Sequence, residues 1–240
     1  MGMKLTVLGC CGSYPGPAGA CSGYLVDAAG TKIWMDAGSG TMANLQRHIT
    51  LHEVDAVVLT HEHPDHWSDI EGFRVACAYV IHRNGVPVYA PEGLRRLTYA
   101  FRPVMDWHVI ADGDHAEIGA AHLRFSRTDH GPETLAVRID ADGRSLAYSA
   151  DTGPDWSLSA LGEPVDLALI EATVTNDREN SVPGHLSARQ AGVMARDGGA
   201  RRLLITHLWP TVDPEKMRAD ASTAYGAPAE LATMHEEYDV

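Results

Sequence analysis

The residues best suited to chemistry stand together in Thr60-His61-Glu62-His63-Pro64-Asp65-His66. In an extended segment side chains two apart face the same way, so His61 and His63 can reach one cation. Pro64 interrupts the extended run, and the turn that follows lets Asp65 and His66 aim together at a second cation beside the first. Imidazole nitrogen and carboxylate oxygen suit zinc, and also manganese or iron, better than calcium or magnesium. The competing reading is a coincidental histidine-rich surface turn, but a string in this order is a stronger signal than most short motifs carry.

Such side chains need elements to hold them. The first third reads as short strands punctuated by glycine, at Lys4 to Leu8, Ser22 to Val26 and Lys32 to Asp36, with a Gly/Pro/Ser loop from Gly9 to Gly19. A helix is predicted from Thr41 to His48, and a short buried strand from Ala56 to Leu59 leads into the histidines. Ser68 to Ile81 has the spacing and N-cap of a helix, and Val86 to Tyr89 is another strand. From Trp107 to Tyr148 the pattern turns to hairpins: Leu123, Phe125 and Arg127 alternate with polar neighbours, Leu135 to Ile139 follows, and Ala141-Asp142-Gly143 turns into Ser145 to Tyr148. The last third alternates again, with strands at Leu167 to Ile170 and Leu203 to Thr206 and helices at Ser187 to Ala195 and Pro214 to Tyr225. Strands at both ends of the chain, each interleaved with helices, imply an α/β four-layer αββα sandwich, a single domain over residues 1–240.

Composition narrows the classes. Apolar residues at 45% and charged residues at 21% exclude a disordered polymer. No run nears the roughly 18 to 20 apolar residues of a bilayer span, and the N-terminus lacks a signal-peptide core, so no membrane association and a cytoplasmic location are expected. Four cysteines without CxxC spacing read as reduced thiols. Nineteen Lys and Arg against 32 Asp and Glu give a charge of -13, which argues against extensive nucleic-acid binding.

The HxHxDH string at a strand end resembles the signature of the metallo-β-lactamase superfamily, and the resemblance implies further ligands. Candidates occur in order: His130 in Thr128-Asp129-His130-Gly131, Asp151 in Ser149-Ala150-Asp151-Thr152, and His207 after Leu203 to Thr206. Each lies just past a strand, where loops gather side chains at a sheet edge. The resemblance gives His61, His63 and His130 to a first metal, Asp65, His66 and His207 to a second, and makes Asp151 the bridge between two divalent ions, zinc foremost with manganese or iron as alternatives. Two such ions less two carboxylates leave about +2 in the cleft, so an anionic substrate is attracted despite the acidic chain. His122 rivals His130, whereas His48, His52, His82, His108, His115 and His235 lack a strand-end context and read as surface residues. Asp36, in Met35-Asp36-Ala37-Gly38, matches an aspartate that supports the metal loop by hydrogen bonding without ligating.

A bridging carboxylate at Asp151, where lactam-hydrolysing zinc enzymes usually carry cysteine, points to another branch. Glu171-Ala172-Thr173, His185-Leu186-Ser187 and Thr206-His207 resemble the ribonuclease Z-like branch. That likeness implies that His185 protonates the leaving group or stabilises the phosphate, and that Glu171 orients it. Ribonuclease Z itself inserts a long basic arm between its third histidine ligand and the bridging aspartate. His130 and Asp151 are only 21 positions apart here, so no arm fits. What remains is similar to small armless phosphodiesterases, including those of cyclic nucleotides and of small sugar cyclic phosphates.

The expected activity is therefore hydrolysis of a small phosphodiester by a metal-bound hydroxide, with Asp65 taking the proton of the water and His185 supplying one to the departing oxygen. The alternatives are tRNA 3'-end processing, or a thioester or lactone hydrolase on the same fold. The Gly9 to Gly19 loop could offer N–H groups to phosphate or be a plain linker; Arg178 and Arg189 flank the His185 loop and stand outside the expected site. The resemblance also implies a homodimer.

Overall fold

Strands buried on both faces explain the apolar runs. In the computed structural model, which describes residues 2–97, 103–162 and 164–240, β1 (Met3–Gly9), β2 (Gly23–Ala28) and β3 (Thr31–Ala37) form an antiparallel meander. The sheet continues in parallel through β4 (Ala56–Val58), β5 (Val86–Ala90) and β6 (Met105–Val109). A second sheet repeats the scheme: β7 (His115–Ile118), β8 (Ala121–Arg127), β9 (Leu135–Ala141) and β10 (Arg144–Tyr148) are antiparallel. Then β11 (Leu167–Glu171), β12 (Arg202–Thr206) and β13 (Glu230–Leu231) add in parallel. The terminal β14 (Glu237–Asp239) returns to the first sheet beside β1, giving seven strands in each sheet among the described residues.

The period-2 pattern assigns each strand residue to a layer. Leu5, Val7, Tyr24, Val26, Ile33 and Met35 of the first sheet meet Phe125, Val137, Ile139, Leu146 and Leu169 of the second in a central core. The opposite faces carry Leu25, Trp34 and Val57 against α1 (Thr41–Leu45) and α2 (Ile70–Tyr79), and Ala147, Ala168 and Ile170 against α4 (Ala188–Asp197) and α5 (Pro214–Tyr225). A short α3 (Glu92–Leu97) adds Leu94 to the first of these outer cores. Four layers result, as the alternation implied. Each fully buried Leu, Ile or Phe contributes about 1.5–3 kcal/mol by leaving water.

Local signals set the helix starts where side chains can cap. Ser187 accepts from the Gln190 N–H and Gln190 reaches back, a reciprocal cap that begins α4. Asp213 with Pro214 starts α5 in the same spirit. Elsewhere the expectations need correction. The helix expected from Ser68 begins at Ile70 without a side-chain cap, because Asp69 turns to accept the Met42 N–H. The helix expected through His48 ends at Leu45. Trp107 does not open the hairpin region: β6 is parallel to β5, an edge position that only the packing of the first sheet decides. Arg127 breaks the expected alternation because Ser126 takes the inward position, where its hydroxyl accepts from the Trp156 indole. β13 and β14 carry no clear strand pattern and are held by their neighbours. No helix among the described residues is long and apolar enough to cross a membrane.

Candidate metal centre

Both sheets deliver their functional residues at one edge. His61, His63, Asp65 and His66 follow β4; Asp36 stands at the end of β3; His130 follows β8, Asp151 follows β10, Glu171 ends β11 and His207 follows β12. The backbone turns sharply there. Asp36, Ala150 and His207 have φ of 55°, 52° and 58°, a left-handed conformation costing on the order of 1–3 kcal/mol each in non-glycine residues and typical of functional sites. Gly38 leaves no room for a side chain, since a Cβ there would strike the carbonyl oxygen of Asp65, so the chain after Asp36 lies directly against the metal loop.

The structure brings the expected ligands together. Donor atoms of His61, His63, His130 and Asp151 lie within 4.8 Å of one another, and so do those of Asp65, His66 and His207. Asp151 faces both groups: Oδ2 is 3.6 Å from His61 Nε2, while Oδ1 is 3.3 Å from His66 Nε2 and 3.4 Å from His207 Nε2. His63 Nδ1 and His130 Nε2 are 3.2 Å apart, as are neighbouring ligands on one small cation. His122, the rival of His130, sits exposed on β8 beside Glu117 and takes no part. His52, His82, His108 and His115 are exposed, while His48 and His235 meet each other at 3.2 Å outside these clusters.

Outer hydrogen bonds fix which nitrogen His61, His66, His130 and His207 turn inward. Thr60 donates its hydroxyl to Asp36 Oδ2, so it accepts from His61 Nδ1, leaving His61 Nε2 unprotonated. That nitrogen and Asp151 Oδ1 are buried without a hydrogen-bond partner, the state of atoms whose partner is a cation. His66 Nδ1 donates to Asp36 Oδ2 at 2.7 Å, and His130 Nδ1 to the Gly184 carbonyl at 2.8 Å. Thr173 donates to Glu171 at 2.6 Å and therefore accepts from His207 Nδ1 at 2.8 Å. Histidines anchored through one nitrogen and bare at the other fit a pair of metal ions.

Asp36 also accepts from the Thr60 N–H and from the Tyr148 hydroxyl at 3.0 Å, so it supports the metal loop in the position expected of it. Tyr148 and Thr173 were not singled out by sequence; Thr173 lies in the Glu171-Ala172-Thr173 string and only the fold aims it at His207.

Glu171 is fully buried and accepts five hydrogen bonds, from Thr152 N, Thr173 N and Oγ1, Leu186 N and His185 Nδ1, the last at 2.9 Å. His185 thereby stands with its ring stacked on His207 and against His130. A ring nitrogen of His185 falls within 4.8 Å of donors on Asp151 and His207.

Charge follows from this packing. Burial lowers His185, but the charge and hydrogen bond of Glu171 outweigh it and raise the ring to about 9. Burial and the neighbouring His66 push His61 well down. Burial raises Asp65 and Asp151, yet the surrounding histidines, His207 foremost, pull both below the usual carboxylate range. Both carboxylates are therefore ionised and both flank the same small volume.

The Gly9 to Gly19 loop borders the cleft and is engaged by the protein itself, with the Ser13 N–H donating to Asp65 Oδ2 at 2.8 Å. Arg189 is occupied by Glu179. Arg178 instead lies over the Trp209 ring, 4.7 Å from its centroid.

The chain is similar to known proteins over most of its length. A family model described as a β-lactamase superfamily domain matches residues 31–208. An uncharacterised protein of Mycobacterium tuberculosis is 34% identical over 253 residues, covering 99% of this chain and 92% of that protein. The probable metallo-hydrolase YhfI of Bacillus subtilis is 29% identical over 245 residues, covering 96% and 97%. Its crystal structure superposes over the whole of both chains with a TM-score of 0.93 and 25% identity. A ribonuclease Z of Methanopyrus kandleri is 28% identical over 260 residues, 93% of each chain.

Proposed function

This chain belongs to the β-lactamase superfamily, and we propose that it is a dinuclear-metal hydrolase acting on a small or cyclic nucleotide-type phosphodiester. The observation that carries the reading is the Glu171–His185 pair, a proton-bearing ring held at 2.9 Å by a buried carboxylate and turned toward the ligand cluster. Hydrolysis of an ester whose leaving group is a ribose oxygen needs such a proton donor, whereas a thioester makes little use of one.

His61, His63, His130 and Asp151 would hold one ion and Asp65, His66, His207 and Asp151 the other, zinc in this reading, with manganese or iron accepted by the same donors. Two such ions would supply Lewis acidity, which acidifies a water toward a pKa of roughly 7 and offsets charge on a phosphoryl oxygen. Asp65, held by the Ser13 N–H and ionised, accepts the proton of the attacking water at Oδ1 or Oδ2. His185, kept charged by Glu171, gives the proton of Nε2 to the departing ribose oxygen and regains it from solvent through the open cleft, where its side chain is 13% exposed. Glu171 moves no proton; its five donors hold it still, and it holds His185.

The acidic charge of -13 and the short span from His130 to Asp151 support a small substrate over tRNA, the second reading, which a ribonuclease Z relative keeps in view. A homodimer is part of the proposal; its support is the apolar side of α2, where Val75 and Tyr79, one turn apart, are 44% and 73% exposed. The deciding experiment is metal analysis combined with turnover of a cyclic nucleotide, bis(p-nitrophenyl) phosphate and an acyl thioester or lactone. Phosphodiester turnover supports the proposal, and exclusive thioester or lactone turnover overturns it.

A further inference from the structure

Beyond His207 the chain continues as Leu208-Trp209 along the wall of a cavity of about 360 Å³, whose other walls include Cys10, Cys11, Val212 and Met234. The wall adjoins the metal centre along the chain, since Leu208 follows His207; Cys11 forms a bridge with Leu208, and the Gly12 N–H donates to the Leu208 carbonyl at 2.9 Å. Trp209 is fixed from two sides. Its Nε1–H donates to Ser13 Oγ at 3.0 Å, and Ser13 is the residue whose N–H holds Asp65. The Arg178 guanidinium lies over the ring, 4.7 Å from its centroid. An indole immobilised before any ligand arrives loses little further freedom on binding, which favours stacking. The hollow beside the His185 loop offers no comparable face, since its Trp156 and Leu186 are buried, at 7% and 0% exposure.

Resting on the phosphodiesterase reading, we infer that this cavity receives the nucleobase of the substrate, stacked on Trp209, with Arg178 clamping the indole. The volume lies in the range of small-ligand sites and exceeds that of one purine ring system. The lining is apolar and aromatic with little to read base edges, so stacking is the source of affinity and purines and pyrimidines are both accepted. Trp209 is a specificity-determining residue here, and Arg178 and Ser13 are positioning residues that act through it.

The test compares 3',5'-cyclic AMP with a ribose cyclic phosphate lacking a base, on metal-loaded protein. Trp209→Ala is expected to lower kcat/KM for the nucleotide about tenfold relative to the base-free ester, through KM, because that is the worth of a base–aromatic stack. Trp209→Phe restores most of the ratio, and Arg178→Ala gives a smaller loss of the same kind. A ratio that stays constant in Trp209→Ala and Trp209→Phe while the wild-type protein turns over both esters overturns the inference alone. Failure of the wild-type protein to turn over either ester overturns the phosphodiesterase reading instead, and the inference with it.

Discussion

His66 donates from Nδ1 to Asp36 Oδ2 across 2.7 Å, and both side chains are fully buried. This one bond orients the last ligand of the metal loop, for with Nδ1 engaged the opposite nitrogen faces Asp65, Asp151 and His207. Asp36 also holds Thr60, and Thr60 holds His61, so one carboxylate sets ligands of both clusters.

Asp36→Ala removes that shared anchor. Metal affinity is expected to fall about 10- to 100-fold, and the fold to lose about 3 kcal/mol because His66 is left as a buried ring without its carboxylate. Competition with a chromophoric chelator and urea unfolding measure the two effects. Unchanged affinity would remove Asp36 from the support of the site.

Asp151→Ala deletes the group that faces both clusters. The ion count from plasma emission should drop from two per chain to one or none, with loss of all hydrolysis. Retention of two tightly held ions would sink the bridging role.

His185→Ala leaves every donor of the two clusters in place. Two ions should remain bound while kcat falls about 100-fold or more with little change in KM, as for loss of a general acid. Undiminished turnover would take His185 out of the mechanism.

In metal-free protein His185 should titrate near 9 by ring-proton NMR, while His61 stays neutral through the same range. A folded value raised from the ordinary 6.5 contributes stability that is fully present below about 6.5 and is lost as pH rises through about 9. Glu171→Gln should return the ring toward its ordinary value and flatten that loss. A His185 titration at or below 6.5 in the parent protein would contradict the pairing.

Much of this was legible in the chain. The spacing in His61-Glu62-His63-Pro64-Asp65-His66 is a local instruction, realised as an extended stretch and a short turn at Pro64–His66. The strand-end positions of His130, Asp151 and His207 were equally readable, because strands of four to seven residues with glycine nearby leave clear boundaries. β6 reads in the sequence as part of the hairpins because an exposed edge strand carries only a weak apolar pattern, and packing decides its partner.

The sequence by itself determined the alternation that makes two sheets, the loop that offers four ligands, and the carboxylate at Asp151. Only tertiary structure decided that Tyr148 supports Asp36 from 112 positions away, that Ser13 steadies Asp65, and that Trp209 meets both Ser13 and Arg178 beside a cavity. Periodicity and spacing are imposed by backbone geometry over a few residues. Contacts between distant segments arise when the sheets bury their apolar faces together, and that burial brings the polar strand ends to a common edge.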